Sequence, residues 1–414
     1  MEKGLEKHYL PTQIPAGFEK VSEIMKKHHY EILSELKRRN YSIEDFPRVE
    51  ERSSLNGEGA AKAYPIQGIL KYHGMSDWKN RIAFLPSISL NNSAAYTLTY
   101  VEFDSKFEKD MVIINEKRAE GRELERVRQM LNTLREITSA KTKALVVSKN
   151  YFVKGKGLGT SASGSAALAL AAIEAGLGEN YSKNQRFVSV LSRYVAGSGC
   201  RSATGGISLW LSYPGIESVN SFSLRIDKDR FDNLRLITIP VESRLRIKTK
   251  EGYQKFRTEF AHMEAPKSEF FKKWMLMRKE EVIDVLDAID KKDWERIAGY
   301  AELDTIHLHA VTMSGKSFKE LDKPKLVAWE PETLKIMRKV NELREEGIPV
   351  YYSIDTGPSP VLLTDKKYVT EICNEIKKMG IDFLVSEIGG KSEILPPEEA
   401  KEELFTRTVK NLVA

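Results

Sequence analysis

Three charged residues and one glycine-rich loop carry the chemistry that this chain could do. Lys71 follows an apolar segment that reads as a strand, where a side chain can project into a cleft. Arg201 lies in the turn Gly197-Ser198-Gly199-Cys200-Arg201-Ser202, and a planar guanidinium grips a carboxylate through two parallel bonds. Asp355 ends a strand before Thr356-Gly357-Pro358, a turn that holds a carboxylate at the rim of a sheet. The loop Lys154-Gly155-Lys156-Gly157-Leu158-Gly159-Thr160-Ser161-Ala162-Ser163-Gly164-Ser165 runs straight into a strong helix former at residues 166–176. Its glycines let several N–H groups crowd one ligand. The helix leaves its first N–H groups unpaired, with the positive end of its dipole facing the same space. An anion, most often a phosphate, is the natural occupant. Each feature alone also has an ordinary reading: a solvated lysine, an arginine paired with a surface acid, an aspartate bonded to its own turn, a capped helix.

The elements that must position these groups follow from periodicity. Apolar residues recur at helical spacing over 17–39, through Phe18, Val21, Ile24, Met25, Ile32, Leu33 and Leu36. His28 and His29 fall on that helix, and adjacent histidines diverge by about 100°, so a packing or surface role is expected rather than a metal site. Residues 53–61 turn polar and glycine-rich and read as a linker closing an N-terminal helical appendage. Strands are expected at 63–70, within 83–101, and at 111–114, 144–147, 207–211, 234–240, 350–354, 361–363 and 383–386. Helices are expected at 120–137, 184–195, over most of 267–313, and at 329–346 and 368–379. The domain break is expected in the charged run at 227–233. The resulting division is 1–60, a helical extension and linker; 61–230, a first domain with the phosphate loop; and 231–414, a second domain.

The totals bound the class. The 414 residues are 41% apolar and 30% charged, with a formal net charge of +6. Two domains are the default at this length. The charge is spread among abundant acids and bases, which fits an anionic small substrate rather than nucleic acid. No apolar run is long enough for a membrane span. Two cysteines, Cys200 and Cys373, build neither a disulfide framework nor a metal site by themselves, so a cytoplasmic setting is expected.

Taken together and in order, the motifs resemble those of the mevalonate diphosphate decarboxylases. Ile66-Gln67-Gly68-Ile69-Leu70-Lys71-Tyr72-His73-Gly74-Met75-Ser76-Asp77 resembles N-I-A-x-x-K-Y-W-G-K-R-D. Residues 85–90 resemble L-P-x-N-x-S-x-S, residues 113–117 W-L-N-G-K, and residues 150–164 N-N-F-P-T-A-A-G-L-A-S-S-A-A-G. Residues 197–206 are similar to G-S-G-S-A-C-R-S-x-x-G-G, 248–254 to S-S-T-x-G-M-Q, 304–310 to D-S-N-x-F-H-A, and 355–361 to D-A-G-P-N-A-V. The resemblance spans about residues 63–365. It implies the α+β, two-domain fold of the GHMP kinase superfamily, with the active-site cleft between domains and the N-terminal helical extension outside it. A homodimer is the family-level expectation.

The resemblance implies roles. Asp355 is the catalytic aspartate, Arg201 binds the substrate carboxylate, and Lys71 lies beside both, suited to a phosphate. Gly157, Gly159, Thr160 and Gly164 form the phosphate loop, and Tyr72, Ser161, Ser163 and Ser198 touch substrate. Departures from the pattern bear on the reaction. Met75 and Ser76 replace a Lys-Arg pair, which implies less charge at the end that holds the family's diphosphate. Ile66 replaces Asn and His73 replaces Trp. Lys154 and Lys156 stand where uncharged residues are found, and two cations there suit a phosphate already carried by the substrate. These changes favour an archaeal, ATP-independent relative that decarboxylates mevalonate 3,5-bisphosphate to isopentenyl phosphate, with no cofactor and no metal. Thr249 and Lys250 are then placed, by position alone, near the 5-phosphate. The alternatives are an ATP- and Mg2+-dependent diphosphomevalonate or phosphomevalonate decarboxylase, and a mevalonate 3-kinase.

Overall fold

The computed structural model describes residues 6–151, 161–228, 231–249, 252–315, 322 and 324–413. Its largest sheet runs, in spatial order, Glu393–Leu395, Gly57–Ala63, Tyr96–Phe103, Ala144–Tyr151, Met111–Ile114 and Lys117–Arg118. The helix Ser161–Leu177 packs across it. Apolar on nearly every side and buried almost throughout, this helix belongs in a core.

The stretch that reads as a linker is a strand of this sheet. Gly57–Ala63 pairs with both Tyr96–Phe103 and Glu393–Leu395. Its glycines serve contact rather than flexibility: a Cβ on Gly59 would lie 2.3 Å from the Ala171 carbonyl oxygen, and one on Gly57 2.6 Å from that of Ala175. Small residues let the helix approach the strand. The expected strand over 63–70 is therefore two, parted at Tyr64-Pro65, and its second half is Ile66–Leu70.

Ile66–Leu70 edges a four-stranded sheet with Ser87–Asn91, Ile207–Trp210 and Ser223–Arg225. A third sheet orders Val350–Ile354, Pro360–Asp365, Leu234–Thr238 and Leu384–Ser386. It carries its own core, with Ile237, Ile336, Val340, Ile354, Leu362 and Ile372 all buried. The chain then crosses back: Glu393–Leu395 joins the first sheet, and Ala400, Leu404 and Val409 pack against Tyr100 and Leu145.

The helix read over 17–39 is observed as Glu19–Arg38. Val21 and Met25 pack with Phe84, Phe271 and Trp274. His29 is buried against Tyr213, and that burial lowers its pKa to about 4, as suits a packing histidine. Cys200 and Cys373 are free thiols. Among the described residues no helix is long and apolar enough to cross a membrane.

Candidate active site

Lys71 and Asp355 each follow the last residue of a strand, Ile66–Leu70 and Val350–Ile354 respectively. The two strands are bridged by Gln67, whose Nε2 donates to Ser353 Oγ at 2.8 Å. The Gly68 N–H donates to both Asp355 carboxylate oxygens, at 3.3 Å each. A Cβ on Gly68 would stand 2.7 Å from Asp355 Oδ1 and 2.8 Å from Lys71 Cγ. Glycine is what lets both side chains close on this backbone.

The Lys71 ammonium is buried and committed to protein oxygens. It donates to the carbonyls of Gly68 (3.0 Å) and Ala301 (2.9 Å) and to Ser353 Oγ (3.0 Å). An ammonium has three donors, so none remains for a phosphate in this arrangement. The geometry makes Lys71 a fixed charge beside Asp355 rather than the phosphate grip expected from sequence. Burial pulls its pKa down to about 8, against the opposing pull of Asp355 and Asp304. Burial likewise raises the Asp355 pKa, although Lys71 and Arg201 hold it back. Behind this pair Asp304 accepts the Lys71 backbone N–H, Trp274 Nε1–H (2.7 Å) and Arg278 (3.0 Å). Burial alone would raise the Asp304 pKa, but Arg278, His307 and Lys71 together outweigh it and the net shift is down. Glu281, Asp304 and His307 bring donor atoms within 4.8 Å of one another. Arg278 pairs with both carboxylates and matches one of their two charges. His309 Nε2 lies 3.0 Å from the Asp355 carbonyl oxygen.

Arg201 sits on the short helix Gly199–Thr204, 2% exposed. Its Nε and Nη1 are buried without a hydrogen-bond partner among the described residues. Its guanidinium carbon lies 5.2 Å from the Tyr72 ring centroid and 6.0 Å from that of Trp210. The aromatic faces orient the fork, and the unpaired N–H groups call for an anion. Lys71, Tyr72, Ser161, Ser198, Arg201 and Asp355 all line one cleft of about 430 Å³.

The outer end of the same cleft is more basic than the loss of Lys-Arg at Met75 and Ser76 implies. Arg81 and Arg126 line it, with Trp78 and His262. Arg126 and Arg122, one helical turn apart on Gly121–Thr138, share the single carboxylate of Glu259. Arg81 Nε is buried without a partner among the described residues. His262 accepts the Gly74 N–H through Nδ1 at 3.0 Å and stacks on Tyr72. Burial keeps its pKa well below the usual value. Sequence reasoning passed over Arg81, Arg126 and His262. The i, i+4 pair Arg122/Arg126 beside the apolar stripe of its helix was the available signal.

Other expected residues fall elsewhere. Ser163 is buried on the sheet side of its helix, 2.7 Å from Thr97 Oγ1, and does not line the cleft. Its hydroxyl joins helix to strand. Gly164 is half-buried in the first turn of that helix. Thr249 ends the strand Arg246–Thr249 opposite Gly252. From the same hairpin and the segment that follows it, Lys255, Phe256 and Thr258 reach the cleft. Lys154, Lys156, Gly157, Gly159, Thr160 and Lys250 lie outside the described residues.

Comparison with known proteins places this geometry. Residues 63–222 match the model of the diphosphomevalonate decarboxylase-like N-terminal domain. A phosphomevalonate decarboxylase of Haloferax volcanii is 33% identical over 83% of this chain and 99% of its own. A mevalonate 3,5-bisphosphate decarboxylase of Thermoplasma acidophilum is 28% identical over 84% and 81%. Among solved structures, a mevalonate diphosphate decarboxylase from Enterococcus faecalis, studied for ATP binding mediated by mevalonate diphosphate, superposes with a TM-score of 0.71 at 26% identity, covering 82% of this chain and 99% of its own.

Proposed function

The chain belongs to the diphosphomevalonate decarboxylase-like family and is a carboxy-lyase acting on a phosphorylated mevalonate; on that premise we propose that it decarboxylates mevalonate 3,5-bisphosphate without ATP. The products are isopentenyl phosphate, carbon dioxide and inorganic phosphate. In the reaction the C1–C2 bond breaks as CO2 leaves, and its electron pair forms the C2=C3 double bond. The C3–O bond breaks and its pair departs with the phosphate.

The observation that carries this reading is the pair of buried Arg201 N–H groups, unpartnered among the described residues, in the cleft that Asp355 also lines. Arg201 orients the carboxylate, and the aromatic faces of Tyr72 and Trp210 hold the guanidinium in place. The Asp355 carboxylate, fixed on Gly68, offers negative charge to the carbon that becomes electron-poor. Lys71 balances Asp355 without consuming its own donors on substrate. Arg126, at the other end, fits the 5-phosphate. Support for a substrate-borne 3-phosphate comes from Lys154 and Lys156, the two cations flanking the phosphate loop.

A second reading, an ATP- and Mg2+-dependent phosphomevalonate decarboxylase, is favoured by the 33% identity to the Haloferax volcanii enzyme. In that reading the nucleotide phosphates would lie against the first turn of Ser161–Leu177, whose leading amides have no partner within the helix; Ser161 lines the cleft. The test is product analysis by phosphorus NMR. Mevalonate 3,5-bisphosphate with chelator and no nucleotide gives stoichiometric inorganic phosphate and isopentenyl phosphate in the first reading. ADP formation from mevalonate 5-phosphate plus ATP, with the bisphosphate untouched, gives the second.

A further inference from the structure

We propose that Arg81 reads the phosphate ester at the outer end of the cleft, and that the N-terminal segment, through Asp77, holds it in position to do so. This inference rests on the reading of that end as the 5-phosphate site, and it assigns work to a residue and a segment that reading does not need.

The charge at the outer end is uneven. Arg122 and Arg126 share Glu259, whereas no carboxylate among the described residues pairs with Arg81. The Arg81 guanidinium lies 5.8 Å from the Trp78 ring centroid, its Nε is buried and unpaired, and it lines the cleft. A buried guanidinium fork with no carboxylate partner among the described residues suits a bidentate oxyanion.

Arg81 reaches this place through an uncommon backbone. Its φ is +53°, a left-handed conformation that residues with a Cβ adopt only when their surroundings hold them. The turn before it is tied by Asp77, which is 6% exposed. Asp77 Oδ1 accepts the Asn80 N–H at 2.8 Å, and Oδ2 accepts Asn80 Nδ2 at 2.8 Å. Oδ2 also accepts the Gln13 N–H at 3.3 Å, which brings the N-terminal segment onto the turn.

That segment is itself anchored. Thr12 bonds the Ile216 carbonyl through its N–H (3.2 Å) and its hydroxyl (2.6 Å). His8 Nδ1 lies 2.7 Å from Tyr194 Oη. From the other side Gln129, on the helix that carries Arg126, donates to the Lys79 carbonyl at 2.8 Å. The turn is thus clamped between the N-terminal segment and the helix of the neighbouring phosphate ligand. One carboxylate, Asp77, joins segment to turn.

The test is equilibrium binding by calorimetry, with the full chain and no nucleotide, of mevalonate 5-phosphate and of mevalonate. The ratio of the two affinities reports the phosphate end independently of turnover. Arg81→Met should reduce that ratio about 10- to 100-fold, as for loss of a charge-assisted bond, and Arg81→Lys should restore part of it. Asp77→Asn, which leaves one acceptor oxygen for three donors, should reduce the ratio several-fold in the wild-type background and not at all in Arg81→Met. A ratio unchanged in Arg81→Met overturns the assignment of Arg81. An equal effect of Asp77→Asn in both backgrounds overturns the positioning role. A wild-type protein that binds both compounds equally removes the 5-phosphate reading itself.

Discussion

Asp355 and Lys71 hold opposite ends of one residue. The Gly68 N–H donates to both Asp355 oxygens at 3.3 Å, and the Gly68 carbonyl accepts Lys71 Nζ at 3.0 Å. A single peptide segment therefore sets the separation of the two opposite charges. Gly68→Ala places a methyl 2.7 Å from Asp355 Oδ1 and must displace that carboxylate. The expected loss in kcat is on the order of 100-fold, the scale for an ångström-sized misplacement. Steady-state kinetics with a parallel melting curve checks it, the fold being largely retained.

Arg201→Ala removes the proposed partner of the substrate carboxylate. Truncating one side of a buried charge pair costs about 2–5 kcal/mol, so kcat/KM should fall at least about 30-fold. Arg201→Lys should recover little, because a point charge replaces a planar fork stacked on Tyr72. Wild-type kcat/KM in either variant contradicts the role.

The pH profile carries the Lys71 signature. Deprotonation removes the positive charge beside Asp355, so kcat/KM should fall as pH rises through about 8. Asp304 raises that pKa. Asp304→Asn should therefore move the basic limb to lower pH, which a pH series on both proteins would read directly. A limb that stays in place would show that another group titrates.

Ser353 serves the same buried ammonium. Its hydroxyl accepts from Lys71 Nζ and Gln67 Nε2 and donates to the Gly68 carbonyl at 2.6 Å. Ser353→Ala leaves those groups short of partners, an expected destabilisation of about 1–3 kcal/mol. Denaturant unfolding measures it, and the basic limb of the pH profile should shift down in the same variant.

Much of this site was legible in the chain, and the rest was hidden for identifiable reasons. Lys71, Arg201 and Asp355 sit in motifs whose residue types and order mark them, and the structure brings all three to one cleft. What type and order do not encode is where an ammonium's three donors go, so Lys71 read as a phosphate grip. The glycines at 57 and 59 carry the composition of a linker, yet they exist for a helix–strand contact made 112 or more residues later in the chain, at Ala171 and Ala175. Ser163 faces the sheet because the helix phase puts it there, which a run of small residues conceals. Arg81 had no local signal at all. Its direction depends on a turn closed by Asp77 and by Gln13, 64 residues away.

The most direct measurement of the central claim is release of labelled carbon dioxide from [1-14C]mevalonate 3,5-bisphosphate by protein freed of nucleotide and divalent metal. The account predicts turnover at a rate that added ATP and Mg2+ do not raise, with one phosphate formed per CO2. Absence of labelled CO2 until ATP is supplied with mevalonate 5-phosphate would contradict it.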